Sequence, residues 1–239
     1  MSGFSEASKD IGEEFASGGL TSPIDATEEE RIRRITTEVT HAFHAMARVR
    51  RGVAIFGSAL PGPAARWGAL AREVAGALAG AGFTVITGGG PGLMAAANEG
   101  ALRASGPSVG LSIQLPDDEP ANGFLTLEVP FHYFFLRKLA FVKYSCAFVL
   151  FPGGFGTLDE LFEALNLRRT QRLDPFPVIL VGSAFWTGLL EWLRNEAVGG
   201  GTLSGEDVER LTITDDPHDV VSQVVECHRT LCRRLGIEE

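Results

Sequence analysis

The stretch PGGFGTLDELFE, residues 152–163, places three glycines directly before three carboxylates. A short apolar run precedes it, and the pattern predicts a strand, a tight loop and then a helix. The first turn of a helix carries free backbone N–H groups and about half a positive charge, and glycine lets that backbone close around an anion. The stretch therefore predicts a phosphate-binding loop, to which Thr157 adds a hydroxyl group.

A second glycine loop, GGGPGLM at residues 88–94, also lies between a predicted strand and a predicted helix. Glycines of this kind can simply close tight turns, but two equivalent loops in one sheet favour a phosphate cradle. Neither loop has the lysine of a P-loop, and the loop after the first strand lacks the dinucleotide-binding spacing. A single phosphate, as in a mononucleotide, fits best. The predicted phosphate contacts are Gly89, Gly90, Gly92, Gly153, Gly154, Gly156 and Thr157.

Two roles are open for Glu160. Thr157 and Glu160 have the spacing of a capping box, in which Thr157 would be the N-cap of the helix. Alternatively, the carboxylate of Glu160 faces a ribose, where it can stabilise the positive charge that develops when a C1′–N bond breaks, or position a water molecule. The residues alone do not separate these roles. Glu163 shares the face of Glu160 and is a further candidate for substrate contact.

A basic pair, Arg137 and Lys138, lies in the aromatic stretch FHYFFLRKLAFVKY at residues 131–144. Such a pair often lies on a solvated helix face. The surrounding phenylalanines instead indicate a partly apolar cleft, in which an arginine needs an anionic or ring-stacking partner. Further substrate-binding candidates are Lys138 itself, Ser58 in the loop after the first strand, and Met94 at the start of the helix after the second glycine loop.

Strands and helices alternate along the rest of the chain, and the strands are continuous apolar runs such as VAIF at residues 53–56. Runs of this kind indicate strands buried on both faces of a parallel sheet. We therefore predict an α/β fold: a Rossmann-like doubly wound parallel sheet with helices on both faces and an extra N-terminal helix capped by Thr27. Residues 1–26 are predicted to be a flexible tail, and residues 27–239 a single nucleotide-binding domain.

The composition excludes several classes of function. The net charge of −9 argues against nucleic acid as the main partner. No apolar run is long enough to span a membrane, and the first residues lack the pattern of a secretory signal. Three cysteines without framework spacing indicate reduced thiols and a cytoplasmic location. We expect no metal, because the cysteines and histidines near both ends lack the paired spacing of a zinc site: Cys227, His228, Cys232, His41 and His44.

These motifs resemble the Lonely-guy (LOG) family of cytokinin-activating phosphoribohydrolases, long mislabelled as lysine decarboxylases. The family signature PGGxGTxxE is intact at residues 152–160, and the family's Arg-Lys pair matches Arg137 and Lys138. The glycine element GGGxxGLM is present at residues 88–94, one residue shorter than usual. The family often has Met-His before this basic pair and Met after it, whereas this chain has Phe134, Phe135 and Phe141, as in the larger bacterial branch.

The resemblance implies a homodimer or larger homo-oligomer that hydrolyses a nucleoside 5′-monophosphate to free base and ribose 5-phosphate. It also implies catalysis by Arg137 and Glu160, with the glycine loops and Thr157 on the phosphate. No cofactor is expected. The main alternative is a binding protein of the same fold, which carries nucleotide or molybdenum cofactor without turnover. A pyridoxal-phosphate decarboxylase is disfavoured, because Lys138 and Lys143 lack a recognisable Schiff-base context.

Overall fold

A computed structural model describes residues 27–114, 120–169, 176–209 and 211–235. The predicted tail, residues 1–26, lies outside these residues. The strands are β1 Gly52–Phe56, β2 Thr84–Thr87, β3 Ser108–Ile113, β4 Leu127–Phe131, β5 Ser145–Leu150, β6 Val178–Leu180 and β7 Thr212–Ile213. The helices are α1 Glu28–Met46, α2 Pro61–Gly80, α3 Leu93–Arg103, α4 Phe134–Tyr144, α5 Phe155–Arg169, α6 Ser183–Trp192, α7 Gly205–Glu209 and α8 Pro217–Leu235, with a π-helical turn at Leu193–Val198.

All seven strands form one parallel sheet in the order β4-β3-β2-β1-β5-β6-β7. The chain runs outward from β1 to β4, returns across the sheet through α4, and continues outward from β5. The order reverses between β1 and β5, and ligands of such sheets bind at this point, outside the carboxyl ends of the strands. The predicted Rossmann-like, doubly wound fold is confirmed.

The sheet separates two hydrophobic cores, which explains why its central strands are apolar on both faces. Helices α1, α4, α5 and α6 cover one face, and α2, α3 and α8 cover the other. In β1, Ala54 and Phe56 belong to the first core, whereas Val53 and Ile55 belong to the second. Residues of this central strand therefore lose their solvent contact whichever way they point, and continuous apolar sequence is required.

The extra N-terminal helix α1 is confirmed. Thr27 caps it, and the Glu30 carboxylate accepts the Thr27 N–H in a complete capping box. The helix also contacts the loop before α4. The carboxylate of Glu38 accepts the backbone N–H groups of His132 at 3.1 Å and Tyr133 at 3.2 Å. A carboxylate at this position stabilises the positive end of α4.

Of the two roles left open for Glu160, the capping box with Thr157 is not formed. Helix α5 begins at Phe155, and the N–H groups of Thr157 and Leu158 both donate to the carbonyl oxygen of Gly154. Thr157 is thus already inside the first turn, and Glu160 lies on the buried side of the second. The glycine loop turns into a helix earlier than a threonine cap would require.

Within the described residues no helix is long and apolar enough to cross a membrane.

Candidate active site

A cavity of about 840 Å³ opens at the carboxyl ends of the central strands, where the strand order reverses. Its size is that of a small-molecule site. Loops from β1, β2 and β5 meet here, and α4 and α5 supply Arg137 and Glu160. The sequence-predicted residues that line it are Ser58, Gly89, Gly90, Met94, Arg137, Gly154, Gly156, Thr157 and Glu160.

Four other predicted site residues are not among the described residues that line this cavity: Gly92, Gly153, Lys138 and Glu163. The two glycines have a steric reason for their identity. Gly92 has φ +69°, and a Cβ there would overlap the carbonyl of Ser58. A Cβ on Gly153 would overlap the side chain of Thr157. Both glycines therefore shape the loops from behind, where they do not face the cavity.

The loop before α5 presents its backbone to the cavity. A Cβ added to Gly154 or Gly156 would meet no atom within 4 Å, and both residues line the cavity. The first N–H groups of a helix lack intrahelical acceptors, so an anion can approach them here without obstruction. The hydroxyl-bearing residue Thr157, which is only 6% exposed, completes this wall.

A buried amide network holds the loop after β2, and sequence reasoning missed it. Asn98, on α3, is fully buried; its side chain accepts from Thr87 Oγ1 at 2.6 Å and donates to Ser108 Oγ at 2.8 Å. The Asn122 amide donates to the carbonyl oxygens of Gly89 and Gly90 at 2.9 and 3.0 Å. A polar residue within the apolar stretch LMAAANEGAL was the available signal for Asn98; Asn122 had none.

The Glu160 carboxyl is 4% exposed and lies in the wall of the cavity. Burial raises its pKa from 4.5 to about 7, and the neighbouring carboxylates of Glu163 and Asp159 act in the same direction, while Lys138 and Arg137 oppose them. Its Oε2 atom is buried without a hydrogen-bond partner. A carboxyl group in this state can take or give a proton near neutral pH, or hold a negative charge where little else screens it.

Arg137 lines the same cavity from α4. Burial lowers the pKa of its guanidinium, although the nearby Glu160 and Asp159 carboxylates act to raise it. The group lies 5.2 Å from the ring centre of Phe134 and 6.0 Å from that of Phe141, and its Nε is buried without a hydrogen-bond partner. The ring-stacking environment predicted for this arginine is thus present. An anionic ligand would supply the missing hydrogen-bond acceptor.

Lys138 points into a cluster of carboxylates beside the cavity. Its Nζ lies 2.9 Å from Asp159 Oδ2, 2.9 Å from Glu163 Oε2 and 3.9 Å from Glu160 Oε1. These contacts join α4 to α5. They also bring together the basic pair and the acidic cluster, which are separated in the sequence by all of β5.

The far end of the cavity is polar and was not anticipated. Ser112 and Gln114, at the end of β3, line it together with Glu128 of the edge strand β4. The Ser112 hydroxyl donates to Glu128 Oε1 at 2.7 Å.

In the part of the chain that the structure describes, no group of three or more histidine, cysteine or acidic residues is arranged to hold a metal ion.

Comparison with known proteins gives a consistent family. The family model described as "Possible lysine decarboxylase" matches residues 94–224. A cytokinin riboside 5′-monophosphate phosphoribohydrolase of Mycobacterium tuberculosis is 32% identical over 160 residues, which cover 64% of this chain and 82% of that protein. The protein of the same name from Rhodococcoides fascians is 29% identical over 154 residues, covering 63% of this chain and 77% of the relative.

Solved structures share the fold at lower identity. The molybdenum cofactor carrier protein of Chlamydomonas reinhardtii superposes with a TM-score of 0.57 at 19% identity, covering 75% of this chain and 99% of that chain. The molybdenum cofactor binding protein of Rippkaea orientalis gives a TM-score of 0.52 at 20% identity, covering 77% and 98%. At these identities the likeness concerns the fold alone.

Proposed function

This chain belongs to the Lonely-guy family, whose family model is described as "Possible lysine decarboxylase", and we propose that it hydrolyses the N-glycosidic bond of a nucleoside 5′-monophosphate. The products are the free base and ribose 5-phosphate. The observation that carries the proposal is the buried Glu160 carboxyl, which shares one cavity with Arg137 and with two glycine loops. Together they provide an anion site and a carboxyl group for the sugar.

The phosphate binds at the mouth of α5. The open backbone at Gly154 and Gly156 supplies N–H donors, the helix supplies a partial positive charge, and Thr157 supplies a hydroxyl. The loop of Gly89 and Gly90 forms the facing wall. This arrangement suits one phosphate group, since no P-loop lysine is present for a second or third.

The reaction breaks the bond between C1′ and the base nitrogen and adds the elements of water across it. Positive charge develops on the ribose ring as that bond lengthens, and the carboxylate of Glu160 stabilises it or accepts a proton from the attacking water. The departing base takes up the electron pair and is protonated. Arg137, which keeps its charge at neutral pH, stabilises the negative charge that builds on the base or on the phosphate.

The alternative is a protein that binds a nucleotide or molybdenum cofactor without turnover. A buried carboxyl group next to an anion site favours the enzyme, because a carrier of a phosphate ester has no need of negative charge at the sugar. Incubation with AMP, followed by chromatography for free adenine and ribose 5-phosphate, separates the two. Tight binding without release of base from any nucleoside monophosphate would favour the carrier.

The decisive variant is Glu160→Gln, which keeps the size of the side chain and removes its acid chemistry. We expect turnover to fall by roughly 10²–10⁴-fold with nucleotide affinity retained. Calorimetric titration with AMP alongside the release assay measures both quantities. Turnover equal to that of the unaltered protein would remove Glu160 from the mechanism.

The base is proposed to be adenine or an adenine-derived cytokinin, since the curated relatives are named for cytokinin riboside 5′-monophosphate. Aromatic residues replace the family's usual methionines around Arg137, so the pocket for the base differs in shape. A panel of ribonucleoside and deoxyribonucleoside monophosphates, compared by kcat/KM, identifies the preferred base.

A second copy of the chain is the proposed partner, and the cytoplasm the proposed location. Large apolar side chains on α4 and α5 are 42% to 92% exposed, which is unusual for a surface that stays in water: Phe134, Phe135, Leu139, Phe155 and Phe162. Sedimentation equilibrium measures the oligomeric state. Phe155→Asp should shift the protein toward monomer if this surface is the dimer contact.

A further inference from the structure

We propose that Lys138 is a positioning residue: its ammonium group ties α4 to α5 and holds Glu160 beside Arg137, and it does not bind the substrate. The effect that we expect on turnover rests on the proposed function. The bridge between the two helices is inferred from the contacts of Lys138 alone. It replaces the substrate-binding role that the sequence predicted for Lys138.

The hydrogen bonds of Lys138 are directed at protein groups. Its Nζ lies 2.9 Å from Asp159 Oδ2 and 2.9 Å from Glu163 Oε2, so two of its three N–H donors are used within the protein. The side chain is 18% exposed, and Lys138 is not among the described residues that line the cavity. A substrate phosphate that approached the third donor would be repelled by the two carboxylates that Lys138 already binds.

The charges around Glu160 show what the bridge does. Two cations face it from α4, Arg137 and Lys138, and two carboxylates lie near it on its own helix, Asp159 and Glu163. The Lys138 Nζ is 3.9 Å from Glu160 Oε1, close enough for a strong electrostatic effect without a direct hydrogen bond. If Lys138 were absent, Glu160 would keep its two acidic neighbours on α5 and would lose one of the two cations that face it from α4.

Removal of Lys138 therefore has a defined electrostatic effect on Glu160. The carboxylate form loses a stabilising positive charge, and the pKa of Glu160 rises above its value of about 7. Removal of Glu163 has the opposite effect: a repelling charge is lost, and the Lys138 ammonium is less neutralised. A purely structural role for Lys138 would not produce opposite shifts from these two positions.

The test is a ¹³C NMR titration of glutamate side chains, in which the Glu160 resonance is identified by its loss in Glu160→Gln. Lys138→Met should raise the Glu160 midpoint by about one pH unit or more. Lys138→Arg, which keeps the charge, should restore the midpoint of the unaltered protein. Lys143→Met is the matched control: it removes a lysine from the same helix, where Nζ lies 4.9 Å from the Phe43 ring centre.

Glu163→Gln provides a second measurement that keeps Lys138 in place, and it should lower the midpoint. The proposal is overturned if Lys138→Met moves the midpoint no more than Lys143→Met does. It is also overturned if Lys138→Met mainly raises KM for AMP while the pH dependence of kcat stays unchanged, since that result identifies a substrate ligand. The titration does not depend on turnover. If the protein hydrolyses no nucleotide, the proposed function is contradicted, but the proposed role of Lys138 as a bridge between the helices can still be tested.

Discussion

The two glycine loops that face each other across the cavity differ in what surrounds them. The loop after β2 is crowded: Gly89 and Gly92 have positive φ angles, and the side-chain amide of Asn122 donates to the carbonyl oxygens of Gly89 and Gly90. The loop before α5 is open at Gly154 and Gly156, where added side-chain atoms would meet nothing. Similar glycine-rich sequences thus serve different ends, one as a rigid wall and the other as an accessible backbone surface.

The same contrast holds for buried polar groups. Behind the first loop, Thr87, Asn98 and Ser108 satisfy one another's hydrogen bonds. Behind the second, Glu160 Oε2 and Arg137 Nε are buried without hydrogen-bond partners. Buried polar groups are normally paired, so we infer that a ligand supplies the missing partners on this side of the cavity.

Gly92→Ala tests the rigid wall most severely. The new Cβ would meet the backbone of Ser58 and Ala59, and the residue would keep a left-handed φ. We expect the free energy of unfolding to fall by about 3 kcal/mol or more, measured by urea denaturation. Gly154→Ala is the matched change in the open loop and should leave stability nearly unaltered. Equal losses from the two variants would abolish the distinction between the loops.

Glu160→Gln tests the side of the cavity that carries the unpaired polar groups, through the pH dependence of protein stability. Because the folded pKa of Glu160 is raised from 4.5 to about 7, the unaltered protein loses stability as pH rises through this window and then levels off. The loss amounts to about 3 kcal/mol, at about 1.4 kcal/mol per pKa unit. The Glu160→Gln variant should not show this loss, so its stability relative to that of the unaltered protein should increase from pH 4.5 to pH 7. The exposed Glu73→Gln is the control; the same growth there would refute the assignment.

Asn98→Ala tests the network that holds the rigid wall. The variant leaves Thr87, Ser108 and Asn122 short of a buried partner. We expect a loss of about 2 kcal/mol in the free energy of unfolding. Thermal unfolding measures it, and a loss no larger than that of an exposed asparagine such as Asn195→Ala would show that the network contributes little.

Gly154→Val tests the open loop and should have the smallest effect on stability. The valine side chain would occupy the space over the α5 mouth, so AMP should bind about tenfold more weakly, equivalent to about 1.4 kcal/mol. The melting temperature should hardly change. Gly123→Val, at an exposed turn that does not line the cavity, is the control. Unchanged affinity in Gly154→Val would place the phosphate elsewhere.

Much of this site could be predicted from sequence because its parts are local. The glycine loops, the apolar strands and the motif around Glu160 each depend on a few consecutive residues. The capping box considered at Thr157 does not form, because the residue spacing of a capping box does not fix where a helix begins, and this helix begins at Phe155. Lys138 and Glu163 were identified as chemically important, but their mutual contact depends on how α4 packs against α5 and is invisible in either segment alone.

The amino-acid sequence is enough to predict the fold, because residues 53–56 and the other continuous apolar runs are stable only as strands covered by helices on both faces. It also determined which loops carry glycine. Packing between distant elements is what leaves one loop held by Asn98 and Asn122 and the other open, and what brings Lys138 to Glu160 and its acidic neighbours. Those outcomes depend on distances between elements remote in the chain, and burial of Glu160, which sets its proton affinity, exists only once they have packed.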